Sequence, residues 1–350
     1  MKEKISCGLC SFGMSGRIFH GPLIKAHPKF VLSAVLERSE NKAAQIHPEI
    51  ETVRSLTELL NKPEIDLVVV NVPDHLHGQF CKLALEAGKH VIIEKPFTLT
   101  VAEGQKLVDL ASELKLGLFV FQNRRWDSDF MTVQKVLESQ QLGKVVEYEA
   151  HYDRYRPEPP KDTWKEDEIR GPGLLYNLGA HLIDQSLVLF GWPDAVYADI
   201  QKIREDSKIV DYFNLTLYYP KLRVILRSSY LVRHEVAKFI IHGTKGSFIK
   251  SGCDPQEANL SNGWKADHQD IGKEMDNDRG KIYTSDHGSK AQIIESIPGN
   301  YLKFYDAVCV ELTTHNQVAV RAEEGLNVIR IIEAAHNSQQ SGRKINLQKR

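Results

Sequence analysis

Net charge is nearly absent from this chain: 45 Lys and Arg stand against 46 Asp and Glu, which leaves −1 at neutral pH. No basic field exists to recruit nucleic acid or an anionic membrane surface. No apolar run approaches the roughly 18 residues that a membrane span needs. Cysteine is scarce and odd in number: Cys7, Cys10, Cys81, Cys253 and Cys309 among 350 residues. That argues against a disulfide framework and for free thiols in a reducing, cytoplasmic compartment. Cys7 and Cys10 have CxxC spacing, but in a strand this spacing sends the two side chains to opposite faces. We read them as small buried hydrophobes. The N-terminal stretch is short and broken by Ser6, Gly8 and Ser11, unlike a secretory leader. Internal repeats and low-complexity tracts are also missing.

What remains is ordinary globular composition, 42% apolar and 26% charged. The length exceeds most single cores, so two domains are expected. Over residues 1–123 short apolar runs alternate with helical patterns. Ile5–Cys10, Val31–Leu36, Leu67–Val72, His90–Ile93 and Leu118–Phe121 read as strands. Leu67–Val72 is almost continuously apolar, as a strand buried on both faces should be. Ser55 and Glu58 suggest a capping box, Gly88 a helix end after Gly78–Ala87, and Val101–Leu114 an amphipathic helix. This alternation predicts right-handed crossovers and an α/β domain with a doubly wound parallel sheet. Over 124–350 the rhythm changes. Val145–Arg156 alternates, with Val146, Tyr148, Ala150 and Tyr152 on one side and Glu147, Glu149, His151 and Asp153 on the other. Further strands are expected at Asp211–Tyr219, Arg223–Tyr230 and Phe239–His242, Ser251–Ala291 as loop, and a helix at Ala322–Ala335. The second domain reads as α+β with an open, mostly antiparallel sheet.

Four loops carry the candidate chemistry of the first domain. Ser11-Phe12-Gly13-Met14-Ser15-Gly16 follows the first strand and opens a helix. Gly13 allows close backbone approach to a pyrophosphate, Gly16 allows tight helix–strand contact, and the free N–H groups favour the anion. The usual fingerprint has a further glycine where this chain has Ser11. After the second strand, Glu37 stands where a carboxylate would bind adenosine ribose hydroxyls, and Arg38 where a 2′-phosphate would be met. Asn71, Pro73 and His77 close the third run. Glu94-Lys95-Pro96 closes the next one, and Pro96 restricts Lys95 to an extended conformation that aims its amine. A partly desolvated lysine beside a nicotinamide ring can act as a base.

Asn123-Arg124-Arg125-Trp126-Asp127 lies at the change of rhythm and suits a cleft floor. Asn177, His181 and Asp184 fall at i, i+4 and i+7, sharing one helical face. One histidine offers too few ligands for a metal. The candidate substrate-binding set is Lys95, Arg125, Trp126, Tyr152, Arg154, Tyr176, Asn177 and His181. The candidate cofactor set is residues 11–16, Glu37, Arg38, Asn71, Pro73, His77, Glu94, Lys95 and Asn123.

These segments, with Ala87–Phe97, Gly179–Gln185 and His242–Phe248, resemble the Gfo/Idh/MocA oxidoreductases over essentially the whole chain. The likeness is greatest to the branch of scyllo-inositol dehydrogenases and related sugar or cyclitol dehydrogenases. The resemblance implies an N-terminal Rossmann domain and a C-terminal sheet domain whose open face often makes a homodimer. It implies that Lys95 is the catalytic, cofactor-contacting lysine, and that His181 holds or deprotonates the reacting hydroxyl. The family commonly has aspartate four residues before that histidine; this chain has Asn177. The expected function is NAD(P)-dependent oxidation of a polyol, cyclitol or aldose, with Glu37 tilting the cofactor toward NAD. The rival readings are a non-catalytic NAD(P) sensor and an NAD-dependent glycosidase with no net redox.

Overall fold

The structure is a computed structural model that describes residues 4–159, 173–234, 236–285 and 290–348. Two compact units emerge. One comprises Met1–Asn123, Pro255–Ile271 and Asn300–Asn327; the other comprises Arg124–Asp254, Gly272–Gly299 and Val328–Arg350. Residues 255–271 and 300–327, expected within a second domain at 124–350, group with the first unit. Aromatic packing shows why: Phe304 meets Phe121 edge-on at 4.9 Å and Tyr301 meets Phe19 at 6.0 Å.

The first unit is built on β1 (Ile5–Leu9), β2 (Phe30–Leu36), β3 (Glu51–Val53), β4 (Leu67–Val70), β5 (His90–Ile93) and β6 (Leu118–Val120). Their order is β3-β2-β1-β4-β5-β6 and every pairing is parallel. β4 is wholly buried, which its unbroken apolar sequence requires. Strand order reverses between β1 and β4, the switch point where α/β sheets take ligands beyond their carboxyl ends. The loops at Ser11, Asn71 and Glu94 all leave that end of the sheet. The helix signals at Ser55 and Gly88 act as read, and Thr100 adds one that was not read. Thr100 Oγ1 accepts the Glu103 N–H to start the helix Val101–Leu114. Gly88, at φ +73°, follows the helix His77–Glu86. Ser55 Oγ accepts from the Glu58 N–H, and the Glu58 carboxylate reaches back to the N–H of Arg54.

The second unit carries β7 (Val145–His151), β8 (Ala195–Gln201), β9 (Tyr212–Tyr218), β10 (Arg223–Ser229), β11 (Phe239–Gly243), β12 (Gly246–Lys250), β13 (Gly280–Thr284), β14 (Gln292–Ile294) and β15 (Ile345–Asn346). Among the described residues they form one sheet, β14-β13-β12-β11-β7-β10-β9-β8-β15. It is antiparallel except at the central β7–β10 pair, which is parallel. One cross-strand row reads Ile282, Phe248, Ile241, Tyr148, Val224, Leu217, Val196. Every member is buried, so this face is the core. Helix Ala180–Phe190 packs on it through Phe190, whose ring lies 5.2 Å from that of Tyr148.

Three expectations change here. β7 ends at His151 rather than running to Arg156. Residues 251–291 hold a helix at Gln256–Ser261 and strand β13, although their polar sequence reads as loop; residues 286–289 lie outside the described ones. The final helix extends from Ala322 to Ser341.

Candidate active site

The glycine-rich corner follows β1. Ser11 is integrated into it: its N–H donates to Asn71 Oδ1 at 2.9 Å and its hydroxyl to the Asn71 carbonyl at 2.8 Å. Asn71 Nδ2 returns a bond to the Ser11 carbonyl at 2.9 Å. Serine therefore closes this turn without the missing glycine, and Asn71 staples β4 to the corner. A Cβ on Gly16 would stand 2.5 Å from the Ser11 carbonyl oxygen, so no larger residue fits there. A Cβ on Gly13 would meet nothing closer than Ser11 Oγ at 3.8 Å, which leaves that side of the corner open. Met14, Ser15 and Gly16 begin a helical segment, whose first N–H groups lack intrahelical acceptors. Open backbone, free donors and a helix start fit the pyrophosphate of a dinucleotide.

Glu37 does not face that way. It is buried, and its two carboxylate oxygens accept the backbone N–H groups of Lys42 at 3.1 Å and Ala43 at 2.9 Å. The carboxylate thus caps the helix Lys42–Ile46 instead of lying open to ribose hydroxyls. Arg38 beside it is exposed.

Beyond β5, Lys95 is half-buried, and its bond to Pro96 is cis. His77 is fully buried. Its Nδ1 lies 2.8 Å from the Pro96 carbonyl and its Nε2 3.1 Å from that of Val72, tying the β4 and β5 loops together. Pro73 opens the short turn Asp74–Leu76 that leads into His77. Glu94 Oε2 accepts the Lys95 N–H at 3.1 Å, and Oε1 lies 3.1 Å from His20 Nε2. His20 Nδ1 in turn meets Tyr305 Oη at 2.7 Å. Burial pushes the Glu94 carboxyl up. The His20 hydrogen bond and the charges of His20, Lys95 and His77 outweigh this and hold it below the usual carboxylate range. The sequence reading passed over His20 and Tyr305. A faint signal was available, since His20 stands one turn beyond Gly16.

In the second unit Arg125 was expected to bind substrate. Instead its Nε and Nη2 grip Asp184 at 2.8 and 2.7 Å, a bidentate pair largely out of water. It anchors the helix Ala180–Phe190 to the Asn123–Trp126 turn. Asp184, read with Asn177 and His181 as one polar stripe, has its two carboxylate oxygens on the Arg125 guanidinium. Asn123 is buried and Trp126 half-buried. His181 is buried, with its ring 6.5 Å from that of Tyr152. Tyr152 is surrounded by cations: Arg154 lies 4.6 Å from its ring centroid, Arg124 5.1 Å and Lys238 5.1 Å. Burial raises its phenol above the ordinary tyrosine range although Arg124 and Lys238 oppose the shift. Tyr152 and Arg154 line a cavity of about 320 Å³ with His151, Arg233, Lys238 and Cys253. Asn177 is half-buried, and Tyr176 stacks on His336 at 6.0 Å. Burial, then Glu333, raises the Tyr176 phenol to about 12. A larger cavity of about 470 Å³, lined by His90, Gly117 and Arg321, opens near the amino ends of β5 and β6, so size does not locate the site.

Residues 5–122 match the model described as an oxidoreductase family, NAD-binding Rossmann fold, and residues 134–347 match that family's C-terminal alpha/beta domain. The chain belongs to the Gfo/Idh/MocA oxidoreductase family. Among its relatives, the Bacillus subtilis scyllo-inositol 2-dehydrogenase (NADP(+)) IolW is 40% identical over 348 residues, 99% of this chain and 97% of that one. Escherichia coli YdgJ, an uncharacterized oxidoreductase, is 38% identical over 95% of this chain and 96% of its own. The solved structure of the putative oxidoreductase yvaA from Bacillus subtilis superposes with a TM-score of 0.95 at 40% identity, covering 99% of this chain and all of that one. In this family the first unit is the NAD(P)-binding one, as its glycine corner and switch point argue independently.

Proposed function

We propose that this family member oxidises a CH–OH carbon of a polyol, cyclitol or aldose. Lys95 carries the reading: the lysine of the Glu-Lys-Pro segment leaves the carboxyl end of β5 in the unit that bears the glycine-rich corner. When bound, the nicotinamide supplies the acceptor for hydride. The chain's own work is proton handling and orientation. Lys95 is the proposed base for the hydroxyl proton. His181 is the proposed group that holds the hydroxyl, with Asn177 one turn before it. Tyr152, Arg154, Trp126 and Tyr176 are the proposed substrate contacts; Arg125 leaves that set because Asp184 takes its fork. The dehydrogenase name of IolW supports a cyclitol among the substrates.

The cofactor in this reading is NADP, against the lean of the sequence toward NAD. Glu37, the residue that favoured NAD, is spent on a helix cap, and exposed Arg38 is left to meet a 2′-phosphate. IolW carries NADP(+) in its name. Cytoplasmic placement belongs to the same reading; five free cysteines support it, and no described helix is long and apolar enough to cross a membrane. The test is a screen of scyllo-inositol, myo-inositol and common aldoses with NAD+ and NADP+. Net formation of reduced cofactor with at least one substrate is expected. No turnover across the panel favours a sensor, and sugar release without net reduction favours a glycosidase.

A further inference from the structure

The cavity of about 470 Å³ in the first unit opens where β5 begins at His90 and β6 begins at Leu118. The glycine-rich corner and Lys95 leave the opposite, carboxyl end of the same sheet. The volume falls within the roughly 300–1,000 Å³ of small-molecule sites. Val108, Leu116 and Leu312 give the cavity apolar walls. Two helices end at its rim on strained residues. Helix Val101–Leu114 ends on Lys115 at φ 55°, and helix Leu302–Thr314 ends on His315 at φ 61°. These are two of the four non-glycine residues with positive φ among the described ones. Glycine takes this conformation without strain and commonly follows a helix. Here the backbone is strained and two long donor side chains are kept at the rim instead. Both are exposed, and neither side chain has a hydrogen-bond or ion-pair partner among the described residues.

Arg321 adds a guanidinium that is held in place. Buried Glu311 accepts the N–H groups of Val318 at 3.1 Å and Ala319 at 3.0 Å, and Arg321 Nε at 2.8 Å. That carboxylate is occupied by the protein itself. The two Nη groups of Arg321 have no partner among the described residues, and such an edge matches the two oxygens of a carboxylate. His90 contributes a neutral donor. Its Nδ1 accepts the Gly117 N–H at 2.9 Å, so the neutral ring carries its hydrogen on Nε2. Burial favours that neutral ring by pushing the imidazole below its usual range. The other carboxylate on the wall, Glu323, is exposed.

We propose that this cavity binds a small organic carboxylate, with Arg321 and Lys115 on its oxygens and Val108, Leu116 and Leu312 around its carbon body. An inorganic anion would leave the apolar walls and most of the volume unfilled. This site stands whether or not the protein is a dehydrogenase.

The experiment is calorimetric titration of the full chain with isovalerate, glutarate and inorganic phosphate. At least one of the two carboxylates is expected to bind with a dissociation constant of about 1 mM or below. Lys115→Gly is expected to keep or raise the melting temperature, because glycine relieves the positive φ. It should still weaken carboxylate binding about tenfold, the value of one charged hydrogen bond. Should that variant fail to fold, Lys115→Asn carries the same expectation, since asparagine also tolerates this conformation. Arg321→Gln is expected to weaken binding at least as much. Failure of both carboxylates to bind overturns the proposal. Binding left unchanged by either substitution also overturns it, since the carboxylate would then sit elsewhere. Phosphate binding in place of the carboxylates would overturn the ligand class.

Discussion

Glu37 Oε2 accepts the N–H of Ala43 at 2.9 Å, and the partner oxygen accepts that of Lys42 at 3.1 Å. Carboxylate bonds to helix-start N–H groups are charge-assisted and complement the helix dipole. Glu37→Ala is therefore expected to cost about 1–2 kcal/mol of stability in denaturant titration. Arg38→Ala, at an exposed position, should leave stability unchanged. It should weaken NADP binding about tenfold or more while sparing NAD, the value of one charged hydrogen bond. Calorimetric titration of both cofactors decides it; equal losses for the two would return Arg38 to the surface.

Lys95→Met removes the amine and keeps the length of the side chain. If Lys95 moves the proton, turnover should drop by a factor of about 10² or more. The half-buried position predicts little change in melting temperature. Near-normal turnover in a folded variant would remove Lys95 from the proton path.

The parts legible in the sequence were those written in consecutive residues. β4 announced itself by an unbroken apolar run, and the corner at 11–16 and the Glu-Lys-Pro segment by local spacing. The partners of side chains were not legible. His20 and Tyr305 are 285 positions apart, Arg125 and Asp184 are 59 apart, and Lys238 and Asp129 are 109 apart. Periodicity states which face a residue takes, and it carries no record of what meets that face. Glu37 shows the same limit at short range. Its place after β2 suggested a ribose ligand, and nothing in the local sequence showed that the N–H groups of Lys42 and Ala43 take both of its carboxylate oxygens.

Lys238 Nζ lies 2.5 Å from Asp129 Oδ2, with both side chains almost fully buried. Burial works against the ammonium, but Asp129 first and then Cys253, Asp127 and Tyr152 hold it well above the ordinary lysine range. The same Asp129 oxygen accepts the Asp254 N–H at 3.0 Å. Asp129→Asn would leave Lys238 with far less compensation, and breaking a buried pair costs about 3–5 kcal/mol. Guanidinium unfolding should show that loss. A change under 1 kcal/mol, on the scale of about 0–1 for exposed pairs, would mean the site admits water.

His151 lies between Glu149 at 2.8 Å and Asp153 at 3.0 Å. Burial opposes its charged form, but the bonds and charges of Asp153 and Glu149 prevail and raise the imidazole above its usual range. A raised histidine contributes stability that is complete below the unfolded value of about 6.5 and is lost as pH rises through the folded value. The stability difference between wild type and His151→Gln should therefore be larger at pH 6 than at pH 9. A difference that grows with pH would mean that the neutral ring is the favoured form.

The nine-stranded sheet has a second face that the core does not use. Tyr148 and Tyr152 are 0% and 4% exposed and belong to the covered side. The row beside the core row reads Ile293, Lys281, Ile249, Ile240, Glu149, Ile225, Thr216, Tyr197. One residue of offset places it on the opposite face. Ile293 is 62% exposed and Tyr197 41%, and Tyr283 is 37% exposed on the same strand as Lys281. Isoleucine, tyrosine and scattered charges over so many strands make a surface that a second copy, related by a two-fold axis, can cover with itself. We expect a dimer in light scattering at micromolar concentration. Ile240→Asp with Ile225→Asp should yield a folded monomer, because paired copies would bury like charges against each other. A 39.7 kDa species for the wild type would overturn the expectation, and a dimer surviving both substitutions would place the interface elsewhere.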